Sequence, residues 1–273
     1  MSRVEERFGE LLSRGEKALI CFLTAGDPDL ETSEALILEL AAAGVDVIEI
    51  GVPFSDPLAD GPSIQASSQR ALEGGMTPQA VLDLVRRVRG QSEVPLVLMT
   101  YFNPVQRLGI ERFAGDAASA GADGVIMTDL PPEEAGDWKA AADGAGLDTI
   151  FLLAPTSTDE RIRRVAAMGT GFIYCVSRTG VTGARSELPP DVRELVSRIR
   201  AATAKPVAVG FGISSPAQVR EISEWADGAV VGSALVDLVA ARQDRPRLLA
   251  EVNAFARSLK EATRRRAPGA GYQ

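Results

Sequence analysis

No histidine occurs among the 273 residues of the chain. That absence removes the Ser-His-Asp and Cys-His nucleophile systems, imidazole metal sites and the usual proton shuttle of neutral pH. Acid–base chemistry therefore falls to carboxylates, tyrosine, lysine or cysteine. Cysteine is nearly absent as well. Cys21 and Cys175 each sit in an apolar run (LICFLT, FIYCVS) and read as reduced, buried thiols of a cytosolic protein. No stretch approaches 18 uninterrupted apolar residues, and the amino terminus, MSRVEERFGELLSRGEK, lacks an apolar signal core; a cytoplasmic location is expected. Positive charge is in deficit, 29 Lys and Arg against 37 Asp and Glu, with a pI near 4.9. Without a basic stripe, neither a nucleic-acid backbone nor a membrane surface is an expected partner.

What is present is a globular composition, 45% apolar and 24% charged, in a chain long enough for one large barrel or two small domains. Short β-branched or apolar runs recur, each followed by a Gly/Pro/Asp turn and a segment of helical spacing. Strands are predicted at 18–24, 46–52, 95–101, 123–129, 148–154, 171–177, 205–211 and 227–233. Their spacing leaves room for a crossover helix each time, and their near-continuous apolar character suits a parallel sheet covered on both faces. No linker or composition break divides the chain. The prediction is a single (β/α)8 barrel over residues 1–265, with an extra leading helix (VEERFGELLSRG) closing the barrel bottom and a flexible tail at 266–273. Gly44 is the expected carboxyl-terminal cap of LETSEALILELAAAG, and SPAQVREISEWAD opens with a Ser and an early Pro. The echo GADGVIM, WADGAVV and AGVDVIEI is read as architecture: a small-residue helix end entering a strand.

In such barrels chemistry gathers at the carboxyl ends of the strands. The second strand, DVIEIGV, carries an anomalous Glu49. Alternation places Val47, Glu49 and Gly51 on one face and Ile48 and Ile50 on the other, so isoleucines against the helices put Glu49 in the barrel mouth. A carboxylate buried there without a partner has a raised pKa and can donate and accept protons near neutrality; the rival reading is a Glu paired with an Arg across the barrel. The following loop, GVPFSDPLADGP, holds Asp56 and Asp60. A second carboxylate there would separate proton transfer from charge stabilisation, although Asp beside Pro and Gly also organises turns.

Glycine-containing segments close the last strands, SRTGVTGARSE, VGFGISSP and VVGSALVDL. Their amides, with a short helix from SALVDLV, can cradle an anion, the position where barrels often bind phosphate. Gly183, Gly212, Gly232 and Ser233 fit that cradle. Lysine argues by scarcity: of Lys17, Lys139, Lys205 and Lys260, two precede strands at the wrong end and two lie on helices, so none is placed for a Schiff base. Without histidine, a metal-dependent aldolase site is equally hard to assemble, and no metal is expected. Phe22, Met99, Ile126 and Phe211 fall late in strands and give apolar walls for a flat ring. Tyr174 is a conceivable participant, Tyr101 reads as packing, and Asp27 and Asp129 as caps of the helices that follow them.

Together LTAGDPDLETS, VIEIGVPFSDPLADGPSIQASSQRAL, MTYFNPV, TDLPPEE, FLLAPTST, YCVSRTGVTG and GFGISSPAQV followed by GSALV resemble the tryptophan synthase alpha-chain family, in unbroken order from about residue 15 to 260. The resemblance implies a lyase that cleaves indole-3-glycerol phosphate to indole and glyceraldehyde 3-phosphate, with no cofactor on this chain. It carries the acid–base glutamate onto Glu49 and the aspartate facing the indole N–H onto Asp60. It places the phosphate pocket at Gly183, Phe211, Gly212, Gly232 and Ser233, under a mobile lid carrying Thr182. It lines the indole pocket with Phe22, Ile64, Met99, Ile126 and Tyr174. Met99 stands where leucine is expected in some relatives, a swap of similar volume. It also implies a pyridoxal-phosphate-dependent beta chain as partner in an alpha2-beta2 heterotetramer, faced by Pro53, Asp56 and Pro57. Two other readings remain open on the residues alone: another phosphate-binding barrel enzyme, such as the synthase that forms indole-glycerol phosphate, or a barrel that only activates a partner. The synthase would be expected to use a strand-borne lysine.

Overall fold

A computed structural model describes residues 1–176, 190–210, 212–241 and 244–264. Its strands are β1 (Ala18–Thr24), β2 (Val47–Gly51), β3 (Leu96–Thr100), β4 (Gly124–Met127), β5 (Asp148–Ile150), β6 (Leu152–Leu153), β7 (Ile173–Val176), β8 (Val207–Gly210) and β9 (Gly228–Val231). Every pairing is parallel, in the order β5-β4-β3-β2-β1-β9-β8-β7-β6. The two ends of that order are consecutive in sequence. The predicted strand 148–154 is thus two short ones, because its pairing passes from β4 to β7 at Phe151, whose carbonyl still accepts the Tyr174 N–H at 3.2 Å. That handover closes the barrel, and the fold is the expected (β/α)8 type.

The helices are α1 (Arg3–Ser13), α2 (Leu30–Ala42), α3 (Pro62–Glu73), α4 (Pro78–Arg89), α5 (Phe102–Leu108), α6 (Ile110–Ala120), α7 (Gly136–Ala145), α8 (Asp159–Met168), α9 (Pro190–Ala202), α10 (Pro216–Ser223), α11 (Ser233–Ala240) and α12 (Arg245–Ala262). Two apolar clusters divide the core. Outward-facing Ile48, Ile50, Leu96 and Leu98 join the helices, whereas Ile20, Val47, Val97, Ile126, Ile150, Tyr174, Ala208 and Val230 fill the barrel interior. Val4, Phe8 and Leu11 of α1 belong to the interior cluster, and the Phe8 and Phe172 rings lie 5.6 Å apart. The leading helix is therefore the bottom plug that its sequence predicts.

The repeated Asp before a strand has a physical cause. At the start of a parallel strand the neighbouring N–H has no ladder acceptor, and burial makes an unpaired amide costly. Asp46 accepts the Leu19 N–H at 2.7 Å, Asp123 that of Leu96 at 2.7 Å and Asp227 that of Val207 at 3.1 Å. These carboxylates, with Asp148 at the start of β5, also hold the plug and the chain that leads from it into β1. Arg7 reaches Asp46, Arg3 reaches Asp123, Lys17 reaches Asp227, and the Ser2 hydroxyl donates to Asp148.

Gly44 follows α2 at φ 93°, and Ser215 caps α10, both as expected. Two expected caps are corrected. Asp29, not Asp27, caps α2, its carboxylate accepting the Thr32 N–H at 2.7 Å. Asp27 is buried in a two-point pair with Arg70 (2.8 and 2.7 Å), a partner 43 residues away that local pattern cannot supply. Asp129 accepts the Phe102 N–H at 2.7 Å, so it caps the preceding α5 rather than the helix after it. Parallel strands bring that loop beside the end of β3.

Candidate active site

Glu49 lies at the centre of β2 and faces the barrel interior. In register it stands between Phe22 of β1 and Val97 of β3, while Ile48 and Ile50 pack outward. Its exposure is 0%, and neither carboxylate oxygen has a hydrogen-bond partner among the described residues. The Arg-paired alternative is thereby corrected. Nothing compensates the charged form for loss of water, so burial lifts the carboxyl from 4.5 to about 8. A group with that value can hold a proton at neutrality and exchange it with a bound molecule.

Asp60 lies just before Gly61, the amino-terminal cap position of α3. Burial raises it from 3.8 to about 6, partly offset by the Tyr101 hydroxyl, which favours the ionised form. The loop is stiffened from within. The Leu58 N–H donates to the Asp56 carbonyl (2.8 Å), the Asp60 N–H to the Pro57 carbonyl (3.0 Å), and Gln65 Nε2 to the Asp60 carbonyl (2.8 Å). Asp56 is exposed and accepts the Ser55 hydroxyl at 2.7 Å, a turn-forming role. Pro53 is buried, Pro57 half-buried, and Leu58 between them and Asp60 is 91% exposed.

Apolar walls surround the carboxylates. Phe22, Ile126 and Tyr174 are buried, and Met99 and Ile64 are half-buried. Register sets Gly51 beside Met99, Met99 beside Ile126, and Leu152 beside Tyr174. Burial and the charges of Glu49 and Asp60 push the Tyr174 phenol upward, so it stays protonated as a donor or a polar wall. Two residues of this wall escaped the sequence reading. A Cβ on Gly51 would lie 2.6 Å from the Phe22 ring, and one on Gly210 would lie 2.5 Å from Tyr174 Oη. The aromatic rings occupy the space that those glycines leave, a demand set by the neighbouring strand. Tyr101, read as packing, is also more than that: its hydroxyl accepts the Ala59 N–H at 3.0 Å. Ala59 lies 42 residues before Tyr101, on the loop after β2, so no local signal announces the contact.

Gly232 is the amino-terminal cap position of α11, Ser233 is its first residue, and Gly212 adopts φ 58°. A Cβ on Gly232 would be 3.6 Å from that of Phe22, which is itself paired with Glu49. The amino end of α11 and the buried carboxyl are therefore within the span of one small molecule. Thr182, Gly183 and Phe211, with the segment expected to form a lid, lie outside the described residues, as does the tail at 266–273.

A family model described as tryptophan synthase alpha chain matches residues 8–264. The chain belongs to the tryptophan synthase alpha-chain family. Among its relatives, the alpha chain of Geotalea uraniireducens is 60% identical over 238 residues, spanning 87% of this chain and 89% of that protein. The alpha chain of Geobacter sp. strain M21 is 55% identical over 261 residues, spanning 96% and 97%. A solved tryptophan synthase of Mycobacterium tuberculosis superposes with a TM-score of 0.90 at 41% identity, covering 96% of this chain and 98% of that one. The alpha subunit from Legionella pneumophila gives 0.88 at 35%, covering 96% and 98%. Family membership and barrel agree, and neither alternative reading of the sequence is favoured. No described helix is long and apolar enough to cross a membrane.

Proposed function

We propose that this alpha chain performs the retro-aldol cleavage of indole-3-glycerol phosphate to indole and glyceraldehyde 3-phosphate, with Glu49 as the proton carrier. The observation that carries the reading is the partnerless carboxyl of Glu49, fully buried among apolar walls and adjacent to Phe22. Protonated Glu49 gives its proton to indole C3, turning the ring into an electron sink. The resulting carboxylate takes the proton of the glycerol hydroxyl, the C–C bond breaks toward the ring, and an aldehyde leaves. One proton is given and one recovered, so the step balances without metal or Schiff base. Asp60, ionised, stabilises the positive charge that grows at the indole N–H. Phe22, Ile64, Met99, Ile126 and Tyr174 enclose the ring. The amides at Gly212, Gly232 and Ser233 take the phosphate, together with Gly183, Phe211 and the Thr182 segment as lid.

On this reading residues 1–265 act as one catalytic barrel in the cytoplasm, paired with a pyridoxal-phosphate-dependent beta chain in an alpha2-beta2 assembly. Exposed Asp56 and Leu58 and half-buried Pro57 give the loop after β2 a face for that partner; Pro53 would back it from beneath. Acceleration of indole release by an added beta chain tests the pairing. For the reaction itself, the purified chain is incubated with indole-3-glycerol phosphate. Indole should appear with the wild type and fall by about 10³ with Glu49→Gln, the size of a placed general acid–base. Near-normal turnover by that variant would remove Glu49 from its role. The pH profile supplies a second check: kcat/KM should fall below about 6 as Asp60 takes a proton and above about 8 as Glu49 loses its own.

A further inference from the structure

We infer that Tyr101 is a positioning residue, a clasp that fixes the Asp60-bearing loop over the barrel mouth and holds its carboxylate in the working place. The inference deepens the proposed function and rests on Asp60 acting there as an anion. Tyr101 directly follows β3, outside the loop it holds, and is only 6% exposed. It touches the loop at two points. Its ring lies 5.1 Å from that of Phe54 at an interplanar angle of 34°, and its hydroxyl accepts the Ala59 N–H at 3.0 Å. Among the described residues, all other hydrogen bonds of residues 53–60 stay within the loop or come from Gln65 of α3. Among the described residues, the Tyr101 hydroxyl is thus the hydrogen-bonded tie between this loop and the turn from β3 into α5.

The tie falls on the residue before Asp60, and the charge of Asp60 in turn acts on the phenol. With the Ala59 N–H donating to its oxygen, the phenol has its own proton free for the ionised carboxylate, and it pulls Asp60 back toward the ionised form against burial. A rigid anchor matters because small displacements of a charge aimed at a developing cation cost rate steeply; a shift of about 1 Å can cost roughly a hundredfold.

The experiment is a double-mutant cycle in the full chain, Tyr101→Phe and Asp60→Asn, read as kcat, KM and the pH profile of indole release. Tyr101→Phe retains the ring and its stacking on Phe54 and removes only the hydroxyl. It should lower kcat about tenfold with KM within about twofold, a modest misplacement on the scale above. The acid limb of kcat/KM should also move to higher pH, because Asp60 loses a group that favours its anion. In the Asp60→Asn background the same change should cost less than about twofold. Equal losses in both backgrounds, or an unmoved acid limb, overturn the clasp while leaving Asp60 in its role. Wild-type kcat in Asp60→Asn alone overturns the reading of Asp60 and the clasp with it. Should Tyr101→Phe fold poorly by thermal melting, Phe54→Leu loosens the other contact and must shift the same limb in the same direction; an unmoved limb there overturns the inference.

Discussion

Asp46 and Glu49 belong to one short run of the chain, both are 0% exposed, and their surroundings are opposite. Asp46 accepts the Leu19 N–H, the Lys260 ammonium at 2.7 Å and two N–H groups of Arg7 at 3.0 and 2.7 Å. Glu49 accepts none. Half a strand's length thus separates a carboxylate whose charge is fully met from one whose charge is refused. The difference marks the two ends of the barrel. At the amino ends of the strands Asp46, Asp123 and Asp227 spend their oxygens on strand amides and on cations, fastening α1 and the returning chain. At the carboxyl ends, desolvation is left uncompensated at Glu49 and largely so at Asp60. Paired charge builds the scaffold, and unpaired charge is kept where a molecule can use it.

Glu49→Gln should break the comparison most sharply, because it removes the group without a cavity. Its activity falls by about 10³, while binding of a phosphate-bearing ligand, measured by calorimetry, stays within severalfold. Asp46→Ala should do the reverse. It leaves Lys260 and Arg7 facing a void at the barrel bottom, at a cost of about 3–5 kcal/mol by urea denaturation, while turnover per folded molecule stays within twofold. If both variants lost the same property, the division of labour between the ends would be wrong.

A pH series sharpens the same contrast. Between about 4.5 and about 8 the folded chain keeps the Glu49 proton that the unfolded chain gives up. Stability must therefore fall as pH rises through that window, by roughly 3–5 kcal/mol for this one group, and level off above it. Glu49→Gln should flatten that decline, so the difference between wild type and variant, measured by denaturant titration from pH 5 to 9, grows with pH in favour of the variant. Asp227 has the opposite sign. Burial raises it, but Lys17, the Val207 amide and Arg200 bring it below its ordinary value, so its contribution is present above that value and lost as pH falls. Asp227→Asn should accordingly lose its effect in acid. The smallest change is expected from Ser2→Ala, which removes the hydrogen bond to Asp148 and the α1 cap that accepts the Glu5 N–H, and should lower the thermal midpoint by an amount equal to about 1–2 kcal/mol.

Most of the barrel was legible because its signals are local and repeated. Apolar runs separated by helix-length segments, Gly44 at a helix end, Ser215 before Pro216 and the amphipathic α1 each say where the chain goes without help from distant residues. Glu49 was legible for the same reason, since a carboxylate interrupting VIEIG faces inward if its isoleucine neighbours face out. Asp27 was not, because the choice between capping α2 and pairing with Arg70 is made across 43 residues. Tyr101 failed in the same way, its hydroxyl finding Ala59 on a loop from another strand. The handover at Phe151 leaves no trace in DTIFLLA, where inward and outward residues alternate without a break.

The sequence by itself determined the alternation of strands and helices, the face on which Glu49 lies, and the chemistry that a chain without histidine must use. Periodicity and residue type settle those questions within a few neighbouring positions. Only the tertiary structure decided that the Glu49 carboxyl goes unpartnered while Asp46 is saturated, and that Gly51 and Gly210 make room for the rings of Phe22 and Tyr174. Proton affinity and close contact depend on what other strands bring to a point in space, and closure of the barrel is what brings them.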